Sequence, residues 1–181
     1  MRQLVEPIRD RNAIERVEKY LYNRNLRNRL IFVFGINSGL RVSDILKLDV
    51  IDVKNKTHVE ILEQKTGKYK KFLINSKLQK IINDFVKDAQ KEAPLFVSQK
   101  GFRLERSQVY RMLNDACRNV GIDVNIGTHT MRKTFGYHHY KQFKDVAMLQ
   151  KIFNHSSPSI TLRYIGIEQD EIDNSYSNFE L

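Results

Sequence analysis

Tyr164 is the residue whose chemistry depends most on its surroundings. A phenol with a pKa of about 10 is a weak nucleophile at neutral pH. Attack on phosphorus becomes feasible where clustered cations stabilise both phenolate and phosphorane. The sequence supplies candidates for such a cluster. Arg41 follows Ser38-Gly39-Leu40, so a guanidinium at a helix start shares a glycine-containing turn with free backbone N–H groups, and the two together can reach a phosphate. Asp44, three residues on, can hold that guanidinium in one orientation. His129 and Arg132 stand three apart and share a helix face, and imidazole beside guanidinium makes an anion site rather than a metal site. Lys65 sits at the tip of a predicted hairpin with Lys68, Lys70 and Lys71 nearby, where a mobile ammonium can enter a DNA groove or reach a leaving oxygen. His155 lies nine residues before Tyr164. Taken singly, each also has a plain reading as a helix-surface pair, a helix-start ion pair, a charged hairpin tip or a packing tyrosine.

The elements that must position these groups are mostly helical. Apolar residues recur at helical spacing in Ile14, Val17 and Leu21, with Asn12 as a candidate cap. A second helix runs from Leu26 to the breaker cluster Asn37-Ser38-Gly39, and a short one covers Arg41 to Leu48. Val50–Val53, His58–Leu62 and Tyr69–Ile74 lean towards strand, with Lys65-Thr66-Gly67-Lys68 as the turn between the last two. Asn75, Ser107, Thr128 and Asp145 are candidate helix caps, and Ser157-Pro158 pairs an N-cap with proline at the first helical position. The fold class predicted is α+β, mostly helical, with a small antiparallel sheet of about three strands on one side.

The order and spacing of the polar residues carry more than any one of them. Ser38-Gly39-Leu40-Arg41-Val42-Ser43-Asp44, Lys65-Thr66-Gly67-Lys68, His129-Thr130-Met131-Arg132, Asn154-His155-Ser156 and Thr161-Leu162-Arg163-Tyr164 occur in the order seen in tyrosine recombinases, the phage-type integrases and chromosome-dimer resolvases, and the chain resembles that family over roughly residues 12–170. The resemblance implies a site-specific recombinase (integrase) catalytic domain of the corresponding fold. In it Tyr164 attacks the scissile phosphate and forms a 3′-phosphotyrosyl link, Arg41 and Arg132 bind the non-bridging oxygens, and Lys65 is general acid to the leaving 5′ oxygen. His129 assists proton transfer at the tyrosine, His155 donates to the phosphate, and Asp44 supports. It also implies no metal, no ATP and no other cofactor. A catalytically silent DNA-binding module of the same fold and a type IB topoisomerase are the alternatives. Two positions depart from the family pattern: Asn154 stands where glycine is usual, and Ile165-Gly166-Ile167 follows the tyrosine in place of a polar residue and histidine. Asparagine tolerates the left-handed backbone better than other residues with a Cβ, so the turn is expected to survive.

Charge agrees with a polyanionic partner. The 181-residue chain carries +10; residues 1–164 hold all 31 cations and 16 of the 21 acids, a net +15, while residues 165–181 hold the other five acids. Such a basic body favours a polyanion, most simply nucleic acid, and the resemblance implies double-stranded DNA. Lys68, Lys70, Lys71, Arg103, Arg106 and Arg111 are the candidate DNA contacts, to backbone more than to bases. The longest apolar run, Leu30 to Ile36, is far short of the ~20 residues that span a bilayer. No charged-then-apolar leader opens the chain, and a lone cysteine, Cys117, suits a reducing cytoplasm, bacterial or phage-encoded by the resemblance. His138-His139 and Cys117 are expected to pack rather than bind metal. The expected organisation is a linker or remnant at 1–11, the catalytic domain at 12–167 and an acidic tail at 168–181. Relatives normally carry a further N-terminal clamp domain, so the chain is expected to be an excised catalytic domain or a short member. Ile165, Ile172, Tyr176 and Phe179 are spaced to form an apolar stripe on a final helix, which is expected to fold back or to dock on a neighbouring protomer. By the resemblance, the chain is a monomer when free and forms a tetramer on DNA.

Overall fold

Helix α1 (Arg11–Arg24) is capped two residues before the expected position: the carboxylate of Asp10, not Asn12, accepts from the Asn12 and Ala13 amides. The structure, a computed structural model, describes residues 4–180, without the Glu168 side chain. Of the segment expected as linker, residues 4–10 lie along the body, where the Ile8 amide donates to Thr134 Oγ1 at 2.9 Å and Ile8 is buried.

Helix α2 (Leu26–Ser38) is the hub of the main core. Leu30 through Gly35 are buried on every side, so its apolar residues form a continuous run rather than a stripe. It packs against α1, against α4 (Ser76–Val86) and against α6 (Thr130–Phe143). A Cβ on Gly35 would meet Met131 of α6 at under 3 Å, so this approach requires glycine. Helix α2 ends at Gly39, whose left-handed backbone (φ 62°) turns the chain into α3 (Val42–Ile45).

Two strands, not three, form the sheet. β1 (His58–Leu62) pairs antiparallel with β2 (Tyr69–Leu73), with Glu60 opposite Lys71. The Val50–Val53 segment expected as a strand is a 3₁₀ turn over Val50–Asp52. Asp49 and Asp52 cap it reciprocally, and its amides are taken by Ala93 and Lys91 carbonyls rather than by a ladder. Helix α5 (Arg106–Asn119) is capped by Glu105 with Gln108, not by Ser107.

A second, smaller core forms where α6 meets α7 (Val146–Phe153), α8 (Pro158–Ile165) and α9 (Ile167–Ser177), and holds Tyr137, Tyr140, Leu149, Phe153, Ile165 and Ile167. Asp145 caps α7, and Ser157 with Pro158 starts α8, as their sequence signals predict. Gly166, at φ 75°, separates α8 from α9. Ile165 therefore closes α8 and is buried, whereas Ile172, Tyr176 and Phe179 are exposed, so these four do not share one helix face. Helix α6 spans both cores, with Met131 in the first and Tyr137 and Tyr140 in the second. No helix among the described residues is long and apolar enough to cross a membrane.

Candidate active site

Arg132 lies on α6 where the two cores meet, and its side chain is buried. One guanidinium nitrogen donates to Gly39 O at the end of α2, and the other donates to Phe153 O at the end of α7, at 2.8 Å. The Phe153 ring lies under the guanidinium, 4.4 Å from centroid to Cζ. A cation so held cannot leave when its ligand does, and that fixity is what electrostatic stabilisation of a transition state requires.

Tyr164, near the end of α8, meets this cation. Its hydroxyl lies 3.1 Å from His129 Nδ1, and the Arg132 guanidinium is near enough to favour the phenolate. Arginine has no acceptor. A phenol proton given to His129 Nδ1 requires a neutral imidazole carrying its hydrogen on Nε2. Burial, then the charges of Arg132, Arg106, Lys133 and Arg41, push His129 below its ordinary 6.5 and keep it neutral. Burial raises the Tyr164 phenol above 10, although Arg132 and Arg41 oppose the rise. The His155 ring packs edge-on to Tyr164 at 5.1 Å, and Lys133 Nζ sits 5.1 Å from the tyrosine ring.

His155 is positioned by the turn between α7 and α8. Asn154 takes the left-handed conformation (φ 56°) that the family's usual glycine would supply. His155 Nδ1 lies 3.1 Å from Thr161 Oγ1, and that hydroxyl is in turn placed to donate to Ser157 O. The Nδ1 atom is therefore the donor, and the neutral ring has a bare lone pair on Nε2. Burial, then Arg132 and Arg41, hold His155 down at about 4.

Arg41 stands at the start of α3 as expected, but its nearest carboxylate is not the expected one. Glu63 Oε2 is 2.9 Å from Arg41 Nη1, whereas Asp44 Oδ2 is 4.0 Å away. Asp44 instead accepts the Gln64 amide at 3.0 Å, which ties the hairpin to α3. Glu63 also accepts from Thr66 Oγ1 at 2.8 Å, within the turn that bears Lys65. Burial pushes the Glu63 carboxyl up, but the bonds from Thr66 and Arg41 and the charges of Arg41 and Lys70 outweigh it and hold it below 4.5. No local pattern marks this residue, because its partner is 22 positions away.

A cavity of about 460 Å³ is lined by Arg41, Lys65, Arg106, His129 and Arg132, among others. Lys65 is exposed at the turn. The structure thus brings Arg41, Lys65, His129 and Arg132 around one space, with Tyr164 joined to it through His129 and His155 packed against Tyr164. Of the other candidate DNA contacts, Arg106 shares this cavity and Lys71 pairs with Glu60 at 2.8 Å. Lys68 and Lys70 bond to the end of α7. Arg103 is held by Asp49 and by the carbonyl of Lys47, and Arg111 lies along a separate groove with Arg27 and Lys100. His138 bonds Ile8 O and His139 packs between Phe135 and Phe143. No group of three His, Cys, Asp or Glu side chains among the described residues is placed to hold a metal.

Residues 10–171 match the phage integrase family. The chain belongs to that family. It is 49% identical over 177 residues to a probable integrase/recombinase, YoeC, of Bacillus subtilis, covering 97% of each chain. It is 30% identical to the tyrosine recombinase XerH of Campylobacter jejuni over 89% of this chain but 46% of that protein. The chain therefore spans nearly all of the first relative and about half of the second. Among solved structures, the XerA recombinase superposes with a TM-score of 0.78 at 19% identity, covering 100% of this chain and 66% of that one. A lambda integrase dimer bound to a core site gives 0.74 at 15% identity, covering 93% and 50%. The fold is that of tyrosine recombinase catalytic domains, and family membership makes the chain an enzyme of that class.

Proposed function

We propose that this chain cuts and rejoins double-stranded DNA by two transesterifications through Tyr164, as the catalytic part of a site-specific recombinase. The observation that supports this most directly is the Tyr164 hydroxyl, 3.1 Å from His129 Nδ1 and within the field of the fixed Arg132. In the first step the Tyr164 oxygen forms a bond to the scissile phosphorus and passes its proton to His129 Nδ1. The bond from phosphorus to the 5′ oxygen breaks, and that oxygen takes a proton from Lys65. Arg41 and Arg132 offset the charge that develops on the non-bridging oxygens. A 5′ hydroxyl from a partner strand reverses the step, so the bond energy is retained and neither ATP nor metal is required.

Two neighbours whose structures hold DNA, a XerH post-cleavage complex and a lambda integrase tetramer on a Holliday junction, support an assembly of several protomers on DNA. The exposed Ile172 and Tyr176 of α9, with Phe179 just beyond it, would then dock on a neighbouring protomer, while Ile167 and a bond from Tyr140 to Glu171 keep the first turns on their own body. We further propose that the free chain is a cytoplasmic monomer.

The test is covalent trapping on nicked duplexes drawn from the DNA flanking the coding region, in which the released 5′ fragment diffuses away. Wild type should give a denaturant-resistant protein–DNA adduct and Tyr164→Phe none. An adduct with the phenylalanine variant would assign the nucleophile elsewhere, and relaxation of supercoiled plasmid irrespective of sequence would favour a topoisomerase.

A further inference from the structure

Three consecutive residues at the C-terminal end of α7 each accept a hydrogen bond from a different cation. Ile152 O accepts from Lys70 Nζ at 2.8 Å, Phe153 O from Arg132 at 2.8 Å, and Asn154 Oδ1 from Lys68 Nζ at 2.9 Å. The last carbonyls of a helix have no partner within it and carry the negative end of the helix dipole, so this is a favourable place for cations. Two of the three cations come from the hairpin that bears Lys65, and Lys68 belongs to the same turn.

We propose that the end of α7 is a latch for this hairpin, closed by Lys68 on Asn154 and Lys70 on Ile152, and that the latch positions Lys65 for proton donation to the leaving 5′ oxygen. The proposal rests on the reading of Lys65 as general acid given above. A two-stranded hairpin is marginal on its own. Its inner face rests on the core through Val59 and Phe72, while Leu62, Tyr69 and Leu73 of the outer face are exposed. Asp44 and Arg41 hold the first side of the turn, through the Gln64 amide and Glu63. Without the α7 bonds nothing described holds the other side of the turn. Lys70 faces inward in the ladder, opposite Ile61, and its side chain is only 14% exposed. Such a lysine is costly to bury unless paired, and its partners are Ile152 O at 2.8 Å and Glu63 at 3.9 Å. Lys68 reaches an acceptor that exists only because residue 154 is asparagine. Glycine there would keep the turn and lose the oxygen. The latch also couples the two halves of the site, because the turn it grips is the one that carries His155.

The test compares two nicked duplexes in single turnover, one with an ordinary scissile phosphate and one with sulfur in place of the bridging 5′ oxygen. A thiolate leaves without a proton, since its conjugate acid has a pKa of about 8.5. Asn154→Gly in the full chain removes the acceptor without straining the left-handed backbone, and Lys68→Met removes the donor while keeping the stem. Each should lower the ratio of the ordinary to the sulfur rate by about five- to tenfold, the loss of one charge-assisted hydrogen bond. The double variant should lose no more than either single one, because both remove the same contact. Any loss of DNA binding affects both substrates and cancels in the ratio. An unchanged ratio, or additive losses, would overturn the latch. Lys65→Ala is the separate check: if sulfur fails to restore its cleavage, the assignment of Lys65 as general acid fails, and the latch reading fails with it.

Discussion

Glu63→Gln replaces one carboxylate oxygen by an amide nitrogen in a side chain that is 2% exposed, and it should be among the more damaging isosteric substitutions in the chain. The carboxylate lies 2.9 Å from Arg41 and 3.9 Å from Lys70, whose side chains are 17% and 14% exposed. Removing one partner of a buried ion pair costs about 3–5 kcal/mol, because the remaining charge stays desolvated without its counterion. Asp44, 4.0 Å from Arg41, retains part of the compensation, which places the cost near the lower end, about 3 kcal/mol. For a chain of this length that corresponds to a fall in melting temperature of roughly 6–12 °C. Sulfate should restore more stability to the variant than to wild type, because an anion in the cavity beside Arg41 takes over the charge that Glu63 supplied. Thermal unfolding with and without sulfate measures both effects. The sign with pH follows from the depressed carboxyl: its contribution is complete above about 4.5 and disappears as pH falls through the lower folded value, so wild type and variant should converge in acid. A variant that melts within about 2 °C of wild type at neutral pH would refute the claim that Glu63 balances the buried cations.

Three further outcomes follow from the same geometry. Adduct formation should persist in excess EDTA, since Arg41, Arg132 and Lys65 supply the charge that two-metal nucleases take from Mg²⁺; activity lost to EDTA and restored by Mg²⁺ would overturn this. DNA binding should take up a proton at His155, so affinity should fall as pH rises from 6 to 8; a binding enthalpy independent of buffer ionisation, or no such fall, would mean that His155 stays neutral. Deleting residues 168–181 should impair strand exchange between paired sites more than cleavage of a single suicide substrate, and equal loss in both assays would mean that α9 only stabilises its own domain.

The parts of the fold that were legible in the sequence are those with local causes. Asp145, Asn75 and Ser157-Pro158 start helices where their side chains predict, because a cap needs only the next three amides. Where two residues competed for one cap, the sequence did not decide: Asp10 prevails over Asn12 and Glu105 over Ser107. Val50–Val53 misled because β-branched residues suggest a strand, while the signal that prevails is the three-residue spacing of Asp49 and Asp52. The candidate site was legible as ordered strings, since each string places its own polar group. Glu63 and Lys70 were not, because a carboxylate and a lysine in a charged hairpin look solvated until the fold buries them. Lys70 did carry one local sign: it alternates with Phe72 on a two-residue period, which puts it on the inner face.

The two histidines of the site begin in the same state for the same reason and are asked for opposite things. Burial and the charges of Arg132 and Arg41 hold both neutral. For His129 that is the useful state, because only a neutral Nδ1 can accept the Tyr164 proton. For His155 it is not, because Thr161 already takes the Nδ1 hydrogen and Nε2 has none to give. In the proposed reaction, a phosphate between the two arginines cancels the repulsion that keeps His155 unprotonated, so the substrate itself recruits the proton that then bonds it. The same phosphate also acts on His129, but there a proton gained from solvent would block the transfer from tyrosine. His129 is spared only if Tyr164 and Arg132 lie between it and the phosphate charge more fully than they do for His155. The hydrogen bond from Tyr164 to His129 supplies that bias: it occupies the Nδ1 lone pair before DNA arrives, whereas the Nε2 lone pair of His155 has no partner among the described residues.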